Sequence, residues 1–96
     1  VQVMNCSYNL HIVKYTLFPA PPLFRIIQEQ SGTPWEEMYK DFNMGHRMEI
    51  YTDEEIADDI INISKSFNID ARIVGRCYDH DHNELTIISE FGKYTY

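Results

Sequence analysis

The sequence has few of the residues that define several protein classes, and cysteine is the first of them. Only two of its 96 residues are cysteine, Cys6 and Cys77. Two cysteines do not make the disulfide framework of a small secreted domain, so a reducing cytoplasm is the expected compartment. The four glycines are isolated from one another, and no serine occupies a nucleophile elbow. A glycine-rich phosphate loop and a hydrolase-type serine nucleophile are therefore excluded.

Basic residues and long apolar runs are also scarce. Eight Lys and Arg stand against 15 Asp and Glu, which gives a net charge of -7. This charge repels phosphate backbones, so neither nucleic acid nor an anionic membrane is an expected partner, although a local basic pocket is compatible with it. Apolar runs such as Ile60-Ile61 fall far short of the about 20 residues of a membrane span, and no signal segment opens the chain.

What is present suits one small domain. A chain of 96 residues has room for a single core, and folding buries roughly two-thirds of the surface that the unfolded chain exposes. The chain opens with Val1 rather than Met. This start suggests a piece of a longer protein.

Hydrophobic periodicity predicts three helices and several short strands. Strands are expected at residues 10–15, 46–51, 71–77, 85–89 and 93–96. The first helix is expected to begin at Pro22, where a missing N–H costs nothing, and to stop at a left-handed Gly32. The second is expected to begin with a capping box of Thr33 and Glu36 around Pro34 and to end near residues 42–43.

The third helix has the clearest pattern. Thr52-Asp53-Glu54-Glu55 repeats the capping-box pattern, and Asn68 is a suitable left-handed C-cap. The spacing of four apolar residues predicts a buried stripe of Ile56, Ile60, Ile63 and Phe67.

These elements predict an α/β (α+β) fold with a mixed sheet covered by helices, because helices between strands must cover at least one face of a sheet. The strand–helix–strand unit of residues 47–77 should be right-handed and parallel, unless another strand lies between its two strands. The strand at residues 85–89 is expected to return beside residues 71–77, and the chain to end in a further hairpin.

The polar turn of residues 79–84 has some of the spacing of a calcium-binding loop. Its first, third, fifth and twelfth positions would be Asp79, Asp81, Asn83 and Glu90. However, the sixth position is Glu84 rather than the glycine that makes the sharp turn. A solvated hairpin turn is favoured, because Asp and Asn are turn residues in their own right.

The same segment contains three zinc-type ligands, Cys77, His80 and His82. Three candidates within six residues and no second pair elsewhere do not form a closed tetrahedral set. No metal site is predicted.

The segment from Asn43 to Arg47 is unusual for a structural turn. Asn43 and Gly45 flank Met44, and His46 and Arg47 follow directly. Such a turn would expose backbone N–H groups and a cation at a strand edge, which suits an anion such as phosphate. A plain structural turn is the alternative, and the residues alone leave both open.

Three motifs then give the chain a family likeness. They are Pro21-Pro22-Leu23-Phe24-Arg25-Ile26-Ile27-Gln28, Glu37-Met38-Tyr39 and Phe42-Asn43-Met44-Gly45. At these spacings they closely resemble the C-terminal domain of phosphoribosylformylglycinamidine cyclo-ligases, also called aminoimidazole ribonucleotide synthetases. The likeness covers roughly residues 10–76 and continues through the strand at Ala71-Arg72-Ile73-Val74-Gly75-Arg76.

The resemblance implies an ATP-dependent ring closure in purine synthesis. ATP phosphorylates the amide oxygen of formylglycinamidine ribonucleotide, and an internal nitrogen displaces the phosphate to close the imidazole ring. In the family, an N-terminal domain supplies the ATP-binding and dimerisation surfaces. Residues 1–96 would thus be a single C-terminal domain fragment, inactive alone. ATP and Mg²⁺ are expected only in the full-length enzyme, and none in the fragment.

The resemblance also implies the site residues. Asn43 and Gly45 would orient the substrate in the cleft, with Met44, His46 and Arg47 beside them, and no catalytic side chain is assigned. The family usually continues Gly-x-Gly-Met, whereas here Arg47 stands where the second glycine is expected. Either ligand approaches this backbone less closely, or Arg47 contacts a phosphate.

The expected partners are the missing N-terminal domain, formylglycinamidine ribonucleotide and a second copy of the full-length chain. Phe91, Tyr94 and Tyr96 are candidates for apolar surface that the absent domain covers. Two alternatives stay open. One is a sister ATP-dependent enzyme, such as formylglycinamidine synthetase, selenophosphate synthetase or a hydrogenase-maturation factor, and the other is a non-catalytic α/β binding module.

Overall fold

The computed structural model of the chain describes residues 20–96 in full and residues 2–5 and 11–15 as backbone strands. The elements in chain order are β1 (Gln2–Asn5), β2 (His11–Tyr15), α1 (Pro22–Ser31), α2 (Trp35–Asp41), β3 (Glu49–Thr52), α3 (Glu54–Ser66), β4 (Arg72–Tyr78), β5 (Glu84–Ser89) and β6 (Gly92–Thr95). The predicted α/β class with a mixed sheet is confirmed. β1 was not predicted from the sequence.

The strands of the described residues form one sheet in the order β3-β1-β4-β2-β5-β6. β1 runs parallel to both β3 and β4, whereas β2 runs antiparallel to β4 and parallel to β5. β5 and β6 form the expected terminal hairpin. The β3–α3–β4 unit is therefore parallel, with β1 lying between its two strands.

The predicted hairpin between β4 and β5 is wrong. β2 lies between these strands, and His11 at the start of β2 is opposite both Tyr78 of β4 and Glu84 of β5. Residues 79–83 therefore cross the end of β2. The polar residues of this segment specify a turn, but the strand that enters the gap comes from 60 or more positions earlier in the sequence.

α1 begins and ends as predicted. Pro22 is its first residue, and the N–H groups of Phe24 and Arg25 donate to the Pro21 carbonyl at 3.0 and 3.4 Å. Gly32 ends the helix with φ of 69°, and its N–H donates to the Gln28 carbonyl at 2.8 Å. Proline and glycine therefore mark both ends of this helix.

Both predicted capping boxes are wrong. α2 follows Pro34 and α3 follows Asp53, and neither helix has a side-chain cap hydrogen bond. The Thr33 hydroxyl instead accepts a hydrogen bond from Ser31 at 2.8 Å. Thr52 is the last residue of β3, so it cannot also adopt the position that precedes the first turn of α3.

The predicted buried stripe of α3 is wrong at three of its four positions. Ile56, Ile63 and Phe67 are 47%, 60% and 72% exposed, and Ile60 is half-buried. α3 packs against β1 through a neighbouring face instead, on which Ala57 is buried. Apolar residues surround much of this helix, so the spacing alone does not select the packed face. The left-handed C-cap at Asn68 is confirmed by its φ of 58°.

A cluster of buried residues lies between α2, β5 and the turn after α2. Ala20, Tyr39, Met44 and Ile87 form its centre, and the partly buried residues packed on it include Phe24, Trp35, Leu85, Phe91, Tyr94 and Tyr96. The expectation that Phe91, Tyr94 and Tyr96 are exposed is therefore wrong, because all three pack on this core. In the described part of the chain, no helix has the length and apolar character needed to cross a bilayer.

Candidate functional site

The backbone of residues 43–46 forms a tight turn with two left-handed residues. Met44 has φ of 57° and Gly45 has φ of 88°. The N–H of His46 donates to the Asn43 carbonyl at 3.4 Å and closes the turn. Positive φ at both central positions is typical of a type I′ turn, which glycine and asparagine usually occupy. Met44 therefore adopts a conformation that costs a non-glycine residue about 1–2 kcal/mol.

The burial of Met44 offsets this cost. Its side chain is 6% exposed and lies in the core with Ala20, Tyr39 and Ile87. Full burial of a methionine stabilises a fold by about 1.5–3 kcal/mol. The turn is thus anchored in the core by its first central residue.

The side chain of Asn43 holds the same turn from outside. Its Oδ1 accepts a hydrogen bond from the Gly45 N–H at 3.0 Å, and its Nδ2 donates to the His46 carbonyl at 3.0 Å. The N–H groups of Gly45 and His46 are therefore both engaged with Asn43. A carboxamide has two N–H groups and two lone pairs on its oxygen, so the bonds within the turn use one of each.

The turn lies directly against the start of α1. A Cβ on Gly45 would lie 3.2 Å from Pro21 Cγ and 3.5 Å from Phe24 Cε2. The rings of Phe24 and Phe42 also pack together, with centroids 5.6 Å apart. The motifs of residues 21–28 and 42–45, which about 20 positions separate in the sequence, therefore form one continuous structure.

His46 and Arg47 lead from the turn into β3, an edge strand of the sheet. His46 is half-buried and Arg47 is exposed. The structure thus brings Asn43, Met44 and Gly45 together in one hydrogen-bonded turn and places the Arg47 cation beside it. Their roles toward a substrate stay predictions.

A second group near the turn was not predicted from the sequence. Arg25 donates to Glu90 Oε1 at 2.7 Å and to the Ala20 carbonyl at 3.3 Å, and its guanidinium lies 5.2 Å from the ring centroid of Phe91. Glu90 Oε1 also accepts from the Ala20 N–H at 3.4 Å. The ring of Phe91 stacks on that of Trp35 at 3.8 Å. Contacts between residues this distant in sequence leave no local pattern that predicts them.

The pKa values of two tyrosines beside this group, Tyr94 and Tyr96, are raised. Burial first, and then Tyr39 and Glu36, raise the pKa of Tyr94 above its ordinary value of 10.0. Burial and the Glu36 carboxylate likewise raise the pKa of Tyr96. The Tyr94 hydroxyl donates to the Phe91 carbonyl at 2.9 Å, and the Tyr96 hydroxyl donates to the Glu36 carbonyl. Both hydroxyls therefore favour the protonated form in the folded protein.

Within the described residues, one group has the composition and spacing of a metal site. Ligand atoms of His80, His82 and Glu84 all lie within 4.8 Å of one another. The group shares His80 and His82 with the set that the sequence analysis rejected, but Glu84 replaces Cys77, which is disulfide-bonded and offers no thiolate. Nor is the calcium set brought together, because Glu90 pairs with Arg25.

The chain is similar to curated proteins named phosphoribosylformylglycinamidine cyclo-ligase. It is 42% identical over 62 residues to the Methanocaldococcus jannaschii protein. This alignment covers 64% of this chain and 18% of the relative. The chain is 42% identical over 66 residues to the Methanopyrus kandleri protein, and this alignment covers 66% of this chain and 19% of the relative. The chain is 37% identical over 75 residues to the Methanococcus vannielii protein, and this alignment covers 78% of this chain and 20% of the relative. No family model matches the chain.

The resemblance inferred from the sequence is thereby confirmed. The relatives are ligases by name, so the chain resembles part of an enzyme of that kind. The chain spans about a fifth of the length of these relatives. A match of 75 residues cannot lie within 96 without covering residues 22–75, so the turn at Asn43–His46 lies inside the matched region.

Proposed function

We propose that this chain is the C-terminal domain portion of a phosphoribosylformylglycinamidine cyclo-ligase. The reaction is the ATP-dependent ring closure of formylglycinamidine ribonucleotide to aminoimidazole ribonucleotide in purine synthesis. The observation that carries the proposal is the match to the Methanococcus vannielii protein, which spans the turn and the helix packed on it. A cytoplasmic location belongs to the same proposal because the reaction consumes ATP, although the disulfide of Cys77 runs against the expectation drawn from the cysteines.

The residues of this chain would act by positioning. Phosphoryl transfer to the substrate amide oxygen and attack by the internal nitrogen depend on placing the reacting atoms and neutralising charge. In this proposal Asn43 orients the substrate through the carboxamide N–H and lone pair that its turn leaves open. Gly45 lets the substrate approach the backbone, Met44 anchors the turn, and Arg47, with His46, contacts the substrate phosphate.

ATP and Mg²⁺ are proposed to bind on the rest of the polypeptide. The isolated glycines of this sequence do not form a phosphate loop. ATP would supply the phosphoryl group that turns the amide oxygen into a leaving group. Without those groups the 96-residue chain is expected to be inactive.

The rest of the polypeptide is also the proposed partner for the exposed apolar residues of the helices. Leu23 and Ile26 of α1 are 61% and 55% exposed, and Ile63 and Phe67 form a second such surface at the end of α3. Contiguous exposed apolar surface marks interaction sites. We place the N-terminal domain against the α3 surface, and the homodimer contact on that domain. Phe67→Ser should then destabilise the intact polypeptide and leave the isolated chain unchanged, whereas equal effects in both would contradict this placement.

The decisive experiment replaces Asn43 in the intact polypeptide and measures ATP-dependent ring closure. Asn43→Ala should lower kcat by about 10–100-fold, because a small misplacement of substrate costs that much. Asn62→Ala, an exposed asparagine of α3, is the matched control and should leave kcat unchanged. If the unaltered polypeptide did not catalyse ring closure, the family assignment would be overturned. If Asn43→Ala had normal kinetics, only the assignment of the substrate site to this turn would be overturned.

The non-catalytic alternative is favoured by one observation. Asn43 already satisfies the Gly45 N–H and the His46 carbonyl, so a purely structural role accounts for it. The two readings differ in the Arg47→Ala variant. An orienting site predicts a raised KM for the ribonucleotide, because Arg47 would contact its phosphate, while Lys65→Ala on α3 should leave KM unchanged. An unaltered KM in both variants would favour the structural role.

A further inference from the structure

We propose that His80, His82 and Glu84 form a binding site for a divalent transition-metal ion of the zinc class. The three residues lie where the chain passes from β4 to β5, and the proposed ligase reaction does not use them. The site is therefore independent of the proposed function.

The distances between the ligand atoms suit such an ion. Glu84 Oε2 lies 3.2 Å from His82 Nε2 and 3.5 Å from His80 Nε2. A tetrahedral ion with bonds of about 2.0–2.2 Å needs ligand atoms roughly 3.3–3.5 Å apart. Two edges of the tetrahedron are thus in place. The third edge, between ligand nitrogens of the two imidazoles, is no longer than 4.8 Å, and rotation of the rings, whose centroids are 4.3 Å apart, would shorten it.

A fourth residue, Asp81, lies beside the three proposed ligands and contacts one of them. Asp81 Oδ1 lies 2.6 Å from Nδ1 of His82, the ring nitrogen opposite the one that faces Glu84. Metal-binding histidines usually donate this second N–H to a carboxylate, which fixes the tautomer and the ring orientation. Asp81 would therefore be a positioning residue for His82.

The fold limits the freedom of the ligands. Glu84 is the first residue of β5 and is paired with His11 of β2, and Tyr78 at the end of β4 is paired with the same residue. Residues 79–83 are thus held at both ends on either side of one strand, roughly 9–10 Å apart. A short segment fixed at both ends loses little entropy when its histidines bind an ion.

The ligand types select the ion. Imidazole with one carboxylate suits Zn²⁺, Co²⁺, Ni²⁺ or Cu²⁺, whereas Ca²⁺ and Mg²⁺ prefer sets made of oxygen alone. Both histidines are exposed, so the fourth position is open to water and the ion is exchangeable. Binding would tie residues 79–83 to β5 and stabilise the folded state by mass action.

The test is titration of Zn²⁺ into the metal-free, intact protein with its disulfide formed. One ion should bind per chain, and His80→Ala, His82→Ala and Glu84→Gln should each weaken binding at least tenfold. Asp81→Asn should weaken it about tenfold through the orientation of His82. Asp58→Asn removes an exposed carboxylate of α3, away from both proposed sites, and should leave binding unchanged. Mg²⁺ at the same concentration should not compete.

A second readout covers any variant that folds poorly. Zn²⁺ should raise the thermal midpoint of the unaltered protein and of Asp58→Asn, but not that of His82→Ala. Substituted Co²⁺ should also show the strong visible absorption of a tetrahedral site. No saturable binding, or binding that neither His82→Ala nor Glu84→Gln weakens, would overturn the proposal and leave the three residues as a set of surface ion pairs.

Discussion

The indole of Trp35 lies parallel to the ring of Phe91, with centroids 3.8 Å apart and an interplanar angle of 1°. This contact joins the first residue of α2 to the turn between β5 and β6. The guanidinium of Arg25 in α1 lies over the ring of Phe91, 5.2 Å from its centroid. Phe91 therefore links two helices to the edge hairpin of the sheet.

Removing Phe91 should destabilise the chain measurably. Phe91→Ala loses the stack and part of the apolar contact of a half-buried ring, so the free energy of unfolding should fall by about 2 kcal/mol. Trp35 is the only tryptophan of the sequence, so its fluorescence follows this contact directly. Urea unfolding monitored by that fluorescence and by circular dichroism gives the measurement.

Phe67 provides the matched control for this substitution. It is 72% exposed, so Phe67→Ala in the 96-residue chain should change the free energy of unfolding by less than about 0.5 kcal/mol. Equal losses from Phe91→Ala and Phe67→Ala would contradict the packing described for Phe91.

Alanine substitutions at two glycines with positive φ distinguish the cost of backbone strain from the cost of steric contact. Gly45→Ala should lower the free energy of unfolding by about 2–3 kcal/mol, because it adds a Cβ at 3.2 Å from Pro21 to the cost of a positive φ. Gly32→Ala should lose only the conformational cost of a positive φ, about 1 kcal/mol, since nothing lies within 4 Å of the added Cβ. Thermal or urea unfolding of both variants gives the difference, and a Gly32→Ala loss as large as that of Gly45→Ala would contradict the contact.

Local signals predicted the parts of the fold that depend on single residues. Pro22 marks the start of α1 because its ring fixes φ, whereas Gly32 and Asn68 mark the ends of α1 and α3 because both residues tolerate a positive φ. The order of strands could not be predicted. The entry of β2 between β4 and β5 depends on pairing between residues more than 60 positions apart, and the segment at 79–83 looks the same in a hairpin and in a crossover.

For the candidate site, too, the sequence predicted what single residues determine and not what depends on distant contacts. Asn43, Met44 and Gly45 were identifiable because asparagine and glycine so close together indicate positive φ. That both Gly45 N–H and His46 carbonyl bond to Asn43 follows from three-dimensional geometry, and so does the contact of Gly45 with Pro21. The apolar spacing of α3 misplaced its buried face because Ile56 and Ala57 lie on adjacent sides of one helix, and only the packing on β1 selects between them.

The two perturbed tyrosines predict how stability changes with pH. Burial and Glu36 raise the pKa of both Tyr94 and Tyr96 above the value of 10.0 that holds in the unfolded chain. The folded state therefore retains these protons more strongly, and the stabilisation is complete below about pH 10. The free energy of unfolding should fall as the pH rises from about 10 through the raised pKa values.

Glu36→Gln tests the electrostatic part of this effect. The variant removes the carboxylate but keeps the backbone carbonyl to which the Tyr96 hydroxyl donates. Both tyrosine pKa values should drop toward 10, and the alkaline loss of stability should become shallower. Urea unfolding between about pH 8 and pH 11 measures the slope, with the exposed Glu29→Gln as control. Identical slopes in both variants and the unaltered chain would show that Glu36 does not act on these tyrosines.

The ion pair of Arg25 and Glu90 should be stronger than a typical surface pair. Its N–O distance is 2.7 Å, and the guanidinium is already held by the Ala20 carbonyl and by Phe91, so little side-chain entropy is lost in forming the pair. A double-mutant cycle with Arg25→Gln and Glu90→Gln should give a coupling of about 1 kcal/mol, at the upper end for exposed pairs. The Glu37–Lys40 pair, at 3.9 Å and without such supports, should give less than about 0.3 kcal/mol. Urea unfolding at low ionic strength measures both couplings, and both should shrink in about 1 M salt. If the two couplings were equal, the contacts of Arg25 with Ala20 and Phe91 would contribute nothing to the pair, and the link between α1 and the β5–β6 turn would rest on Phe91 alone.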